Sequence, residues 1–466
     1  MNCRNMTNSF NRKKLYSAPT SLNLEITDKC NVKCRHCYNY WREEGIKTES
    51  MTKQNFDRLL ELIVDSKIFH VILTGGEPFF NFELLEYACS RLVKNNISIS
   101  VNTNLIMSSE DKIKRLSAAG VDHILTSLNS YDEKTNDFLS QRKGAFKNVI
   151  KGIKSAIKNN IRISVNMIIG QKNKDHVYHT GKFVRELGCQ KLFGTRTVPP
   201  VSYRDDPMQS EFKTTKEDIL YVLDQLVRVK ADTGIMIGTL VSYPLCLLSN
   251  LEKYKDFVGR GCPSQAGHRM SLNADGESHC CVHEEKRYGN VFEIGIKKAY
   301  QNMLGWHNRS YRYPQCDGCR YIEICESGCR MSSLGYYRAM NARDPLMINK
   351  NNFTKHFKFV DENKFSNKIS LETIFFVPQR LRFRKENGFY LVNIQWANTI
   401  EVNNETAEFL IKYQLRNKPF TINEFGKEKK ILLIQLLAKR VVEAGEDIYS
   451  DTDNLSGLGI DPAKLR

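Results

Sequence analysis

Six short apolar runs alternate with six amphipathic stretches in the first two hundred residues, and this order limits the possible folds more than any other feature. The runs at 22–27, 71–74, 97–103, 123–127, 161–168 and 191–195 are of strand length. Between them lie helical patterns such as "KQNFDRLLELIVD", "FELLEYACSRLVKN" and "AFKNVIKGIKSAIKNN". A strand followed by a helix, repeated in series, builds a parallel sheet, because parallel neighbours need a long crossover. The expected fold class is therefore α/β, as a partial barrel of six strand–helix units. In barrels of this kind the chemistry collects at the C-terminal ends of the strands. The apolar stripes of the helices are read as core.

Cysteine usage points to metal. The chain has 466 residues, enough for two to four domains, and 14 cysteines. Its first residues, "MNCRNMTNSFNRKK", lack the apolar core of an export signal, and no apolar run reaches membrane-spanning length. The expectation is a cytoplasmic protein with no membrane partner, where clustered thiols bind metal rather than pair as disulfides. Nine of the cysteines fall into two tight patterns, and Cys3, Cys89, Cys189, Cys246 and Cys280 look scattered. The first pattern, "CNVKCRHCY", holds Cys30, Cys34 and Cys37 and directly follows the first strand. "TGGEP", Thr74 to Pro78, directly follows the second. Two independent signals thus fall on the same rim.

Three thiolates on a four-iron, four-sulfur (4Fe–4S) cluster leave one iron open for a substrate or cofactor. CxxxCxxC followed by an aromatic residue, here Tyr38, resembles the signature of the radical S-adenosylmethionine (SAM) enzymes. The resemblance implies that the open iron chelates the amino and carboxylate groups of SAM, which one electron cleaves to a 5′-deoxyadenosyl radical. It also implies that Gly75 and Gly76 let backbone approach the methionine end, and that Glu77 accepts from its ammonium. Ser127 and Asn166, near the ends of the fourth and fifth strands, would contact the SAM carboxylate or ribose. The alternative for the triad is a structural zinc site completed by His36, which leaves "TGGEP" unexplained.

The second cysteine field runs from Cys262 through Gly276 and Cys281 to "CDGCRYIEICESGC", which holds Cys316, Cys319, Cys325 and Cys329. It resembles the SPASM extension of radical SAM enzymes that modify peptides and proteins. By that resemblance Cys262, Cys281 and Cys329 bind a first auxiliary cluster, with Cys246 as its fourth ligand. Cys316, Cys319 and Cys325 bind a second. Cys280 is a neighbour of or substitute for Cys281. The family's seventh cysteine is missing: "RDPLM" places Met347 there, so either the second cluster has an open or unusual fourth ligand, with Met347 or Asp344 as candidates, or it is degraded or absent. A zinc ribbon over Cys316–Cys329 is the alternative.

From about residue 351 the chain has no cysteines, and "LRFRKENGFYLVNIQWANTIEVNNETAEFLIKYQ" reads as a three-strand ribbon with an Asn-Gly turn, then a helix. The module resembles the winged-helix leader-recognition domains of enzymes that modify ribosomally made peptides. The expected organisation is 1–18 an N-terminal segment, 19–200 the partial barrel, 201–258 a bridge, 259–350 the SPASM domain and 351–466 the leader-recognition domain. The function implied is a peptide maturase using SAM and 4Fe–4S clusters, with a flavodoxin or ferredoxin as reductant. The net charge of +17 suits an acidic leader, although a winged helix and that charge would also suit nucleic acid. Two alternatives remain: a sulfatase-maturase-like protein oxidase, or a non-catalytic iron–sulfur electron carrier or nucleic-acid binder.

Overall fold

The computed structural model describes residues 15–39, 49–199, 211–258, 261–348, 369–395 and 398–444. The chain divides into two compact units, Met1–Thr354 and Lys355–Arg466. In the first, strands β1 (Ser21–Glu25), β2 (His70–Thr74), β3 (Ser98–Asn102), β4 (His123–Ser127), β5 (Arg162–Ile169) and β6 (Lys191–Arg196) lie side by side in chain order. All six are parallel, as the strand–helix alternation requires. Helices α1 (Lys53–Asp65), α2 (Phe82–Lys94), α3 (Glu110–Ala118), α4 (Glu133–Ser140), α5 (Ala145–Lys158) and α6 (Val177–Glu186) fall between the strands in sequence. Thr52, Ser109 and Asp132 cap three of them by accepting a backbone N–H from the first turn.

The sheet extends past the six expected strands on both sides. Residues 201–258, read from sequence as a bridge, contribute helix α7 (Lys216–Thr233) and strand β7 (Met236–Gly238), which pairs with β6. Reciprocal capping by Thr215 and Asp218 starts α7, and Gly234 in the left-handed region ends it. At the other side β8 (Arg269–Leu272) lies parallel to β1, and β9 (Ser278–His279) turns back antiparallel to it. Strands of two to four residues carry too little alternation to be read from sequence.

Side-chain alternation makes the sheet two-faced. One face is apolar and fully buried, with Leu22, Leu24, Val71, Leu73, Val101, Ile124 and Val165. The other is polar: His70 on β2 bridges Ser98 Oγ (2.9 Å) and Ser100 Oγ (3.1 Å) on β3, and His123 on β4 reaches Ser164 Oγ on β5 (2.9 Å). The register adds Ser21, Asn23 and Glu25 of β1 to this face. Parallel sheets are ordinarily apolar on both faces; a polar inner face leaves the interior suited to a polar ligand.

The second unit has its own core, in which Phe375, Leu391, Val392, Leu410, Phe420, Leu433 and Leu437 are almost wholly buried. Strands β10 (Ile374–Phe376), β14 (Phe420–Thr421) and β15 (Glu443–Ala444) make one small sheet, in the order β14-β10-β15. Strands β11 (Arg382–Lys385), β12 (Tyr390–Gln395) and β13 (Asn398–Val402) make an antiparallel meander. The turn at Asn387–Gly388 joins β11 to β12, with Gly388 at φ +82° and Glu386 N–H bonded to Phe389 O (2.9 Å). Helices α8 (Asn404–Arg416), capped by Asn403, and α9 (Lys430–Ala438) complete the unit. The meander and the first helix follow the expected order; the β14-β10-β15 sheet has strands too short to be legible.

Candidate cofactor and cluster site

The cysteine loop leaves the C-terminal end of β1 and is held from four directions. Gly76 N–H bonds Thr27 O and Glu77 N–H bonds Lys29 O, both at 2.8 Å, so "TGGEP" runs alongside the backbone that enters the loop. This approach explains the glycines. A Cβ on Gly75 (φ +141°) would lie 2.2 Å from Thr27 O, and one on Gly76 would lie 2.4 Å from Lys29 O. Further on, Asn104 Nδ2 donates to Asn31 Oδ1 (2.7 Å) and Arg142 to Asn31 O (2.6 Å). Arg35 makes a two-pronged pair with Glu211 (2.8 and 3.0 Å) and lies over the Phe138 ring. His36 packs edge-on against Phe212, and Tyr38 contacts the His283 ring at 4.3 Å. Cys30, Cys34 and Cys37 are half-buried and form no disulfide.

Glu77 is fully buried. Its Oε1 accepts from Phe79 N–H (3.1 Å) and Thr103 O–H (2.6 Å), and Oε2 from Asn104 N–H (2.7 Å). In this structure the carboxylate ties the loop after β2 to the loop after β3. Burial raises its pKa to about 7 against the pull of those three hydrogen bonds. Ser127, the last residue of β4, and Asn166, in the middle of β5, are register partners, and Asn166 Oδ1 accepts from Thr195 O–H (2.6 Å). Glu25, at the end of β1, escaped the sequence reading; its signal was a lone acid in "LNLEI". Burial raises its pKa well above the carboxylate range, and Asp28 and Asp275 raise it further.

The second cysteine field sorts into two groups. Cys262, Cys281 and Cys329 are mutual electrostatic neighbours: burial raises the Cys262 thiol, with Cys329 adding to it, and burial raises the Cys281 thiol, with Cys262 and Cys329 adding to it. Cys329 caps helix α10 (Arg330–Tyr337 in the first unit), its sulfur accepting Ser332 N–H at 3.4 Å. The half-buried Arg269 of β8 lies within electrostatic reach of Cys262 and Cys281, and its Nε has no hydrogen-bond partner. Cys325 neighbours Cys246 and Cys316; burial pushes its thiol to about 12, and its sulfur accepts Leu245 N–H at 3.4 Å. Cys246 therefore sits with Cys316, Cys319 and Cys325, not with the first group as expected. The reason is that residues 245–247 form a turn against the Cys325 segment. A zinc ribbon over four consecutive cysteines does not describe these groups, because Cys329 faces Cys262 and Cys281. Cys280 is buried, its sulfur near Ser264 O and His307 Nε2.

Asp344 joins this region to the sheet. It is fully buried and pairs with Arg196, at the end of β6, through contacts of 2.6 and 3.0 Å. It also accepts Cys329 N–H (2.8 Å) and Leu346 N–H (3.0 Å). Its carboxylate is thus taken up inside the fold. Met347 is buried, its N–H bonded to Asp344 O.

The donor sets fit iron–sulfur clusters. Half-buried thiols that raise one another's pKa need a cationic partner to ionise, and Arg269, whose Nε–H has no hydrogen-bond partner, lies within electrostatic reach of two of them. Residues 24–184 match the model of the Radical SAM superfamily. This segment is a radical SAM domain. That family binds a 4Fe–4S cluster and SAM. The chain is 28% identical over 179 residues to the antilisterial bacteriocin subtilosin biosynthesis protein AlbA of Bacillus subtilis, covering 38% of the chain and 39% of that protein. It is 24% identical to GTP 3′,8-cyclase of Aquifex aeolicus, over 63% of the chain and 91% of that enzyme. Its fold is similar to that of Streptococcus suis SuiB bound to precursor peptide SuiA, with a TM-score of 0.58, 17% identity and coverage of 73% of this chain and 78% of SuiB. No helix among the described residues is long and apolar enough to cross a membrane.

Proposed function

We propose that this radical SAM enzyme modifies a ribosomally made precursor peptide. Cys30, Cys34 and Cys37 would hold the SAM-binding cluster, and the two auxiliary thiol groups would hold electron-carrying clusters. When bound, the cluster and SAM would supply radical chemistry for removing a hydrogen atom from the substrate. The chain's own residues then have three tasks. Gly75, Gly76 and Glu77 hold the backbone on which the cysteine loop sits. Ser127 at the end of β4 and Asn166 beside it on β5 offer polar atoms, and the polar inner face of the sheet accommodates the ligand.

The observation that carries the peptide reading is the second unit. It has its own core, and the order β11-β12-β13 puts β11 and β13 at the edges of its meander. An edge strand can accept an extended peptide as an added strand, whereas a small-molecule substrate has no need of one. Kinship with AlbA, whose name places it in bacteriocin biosynthesis, favours the same reading. A flavodoxin or ferredoxin is the proposed reductant.

The test is deletion of residues 355–466, with peptide binding and SAM cleavage measured in parallel. A candidate precursor peptide with an acidic leader should bind the full chain and lose at least about tenfold in affinity on deletion, while peptide-independent SAM cleavage persists. Binding of an acidic leader should also weaken with added salt. Equal binding by the truncated enzyme would contradict the reading and favour a sulfatase-maturase-like oxidase that needs no leader.

A further inference from the structure

Cys246 looks isolated in the sequence, seventy residues before the next member of its group, Cys316. The fold removes that distance. Its turn is firmly placed: Leu245 and Leu247 on either side are buried, Ser242 O accepts from Arg196 (2.7 Å), and Tyr243 O–H donates to Gly194 O (3.2 Å). From this turn Leu245 N–H reaches Cys325 Sγ at 3.4 Å. Cys246 is half-buried, has Cys316 and Cys319 as electrostatic neighbours, and accepts the backbone N–H of Ile348. Ile348 directly follows Met347, so the segment that lacks the expected cysteine lies against the cysteine that can replace it.

We propose that Cys246 is the fourth ligand of the second auxiliary 4Fe–4S cluster, shared with Cys316, Cys319 and Cys325. The proposal rests on the reading that those three thiols hold a cluster. It displaces Met347 and Asp344 as ligands: Asp344 is committed to Arg196 and to the N–H groups of Cys329 and Leu346, and the turn supplies a thiolate where Met347 offers only a thioether. Four thiolates leave no iron open, so this cluster passes electrons and does not bind substrate. N–H donors to the cysteine sulfurs, such as those of Leu245 and Ile348, are among the features that set such a cluster's potential.

The test uses the full-length chain before and after anaerobic reconstitution with iron and sulfide, alkylated in the native state and mapped by mass spectrometry. Cys246 should label in the apo chain and become protected together with Cys316, Cys319 and Cys325. Labelling of Cys246 while those three are protected overturns the proposal alone. Labelling of all four after reconstitution overturns the parent reading as well. A second arm compares iron content and the reduced-cluster electron paramagnetic resonance spectrum of Cys246→Ser, Cys316→Ser and Met347→Ala. Cys246→Ser and Cys316→Ser should each lose up to about four irons per chain or shift the same signal, with Met347→Ala unchanged. A normal signal in Cys246→Ser with a lost one in Met347→Ala would reverse the assignment.

Discussion

Glu77 concentrates the energetics of the site in one side chain. Its pKa is raised by burial from the usual carboxylate value to about 7, so the folded chain holds this proton more tightly than the unfolded chain does. The stability it contributes is therefore present below the unfolded pKa, near 4.5, and is lost as pH rises through about 7. The full swing corresponds to about 3 kcal/mol. Thermal unfolding between pH 5 and 8 should show a decline in the parent chain that is flattened in Glu77→Gln; parallel curves would contradict this role. Gly76 gives a second prediction. A methyl group there meets Lys29 O at 2.4 Å and Asp28 O at 2.5 Å, both backbone, so Gly76→Ala must displace the entry to the cysteine loop. A displacement of order 1 Å should slow SAM cleavage about 10²-fold, measured as 5′-deoxyadenosine formed; an unchanged rate would contradict it. Both residues were legible as members of "TGGEP", because that signal is local. Their partners were not: Thr103 and Asn104 reach Glu77 from the next strand's loop, and no spacing in the sequence announces them.

At the level of elements, the buried Arg196–Asp344 pair links the end of β6 to the cysteine-rich segment. Removing one partner leaves an uncompensated buried charge, which typically costs about 3–5 kcal/mol. Asp344→Ala also strands Cys329 N–H, so urea denaturation should show a loss at least that large. The double change Arg196→Met with Asp344→Leu should recover much of it, since an apolar pair carries no desolvation cost. A neutral Asp344→Ala would remove this link from the account. The six central strands were readable because each is at least five residues long and followed by an amphipathic helix before the next. Strands β7, β8 and β9 were not, since β8 returns from residue 269 to pair with β1 and owes its place to tertiary packing alone. The grouping of Cys246 was hidden for the same reason. A turn built on Leu245 and Leu247 brings a distant thiol to Cys325, and spacing along the chain holds no trace of that contact.

On the scale of the whole molecule, the proposed peptide-modifying enzyme comprises a radical SAM domain, two auxiliary thiol groups and a C-terminal unit with its own core. The cysteine patterns made the first two legible because clusters need several thiolates close together, and much of that closeness is written as short gaps. The third was legible only as strand-then-helix order, since the peptide recognition proposed for it, through a sheet edge, would use backbone atoms that every residue carries. The central claim is that Cys30, Cys34 and Cys37 form the site at which SAM is cleaved. Its most direct test is the anaerobically reconstituted, dithionite-reduced chain incubated with SAM, compared with the Cys30→Ala/Cys34→Ala/Cys37→Ala variant, with 5′-deoxyadenosine quantified by mass spectrometry. The account predicts turnover by the parent chain and none by the triple variant, while the auxiliary clusters keep about eight irons per chain. Equal 5′-deoxyadenosine from both proteins would contradict it.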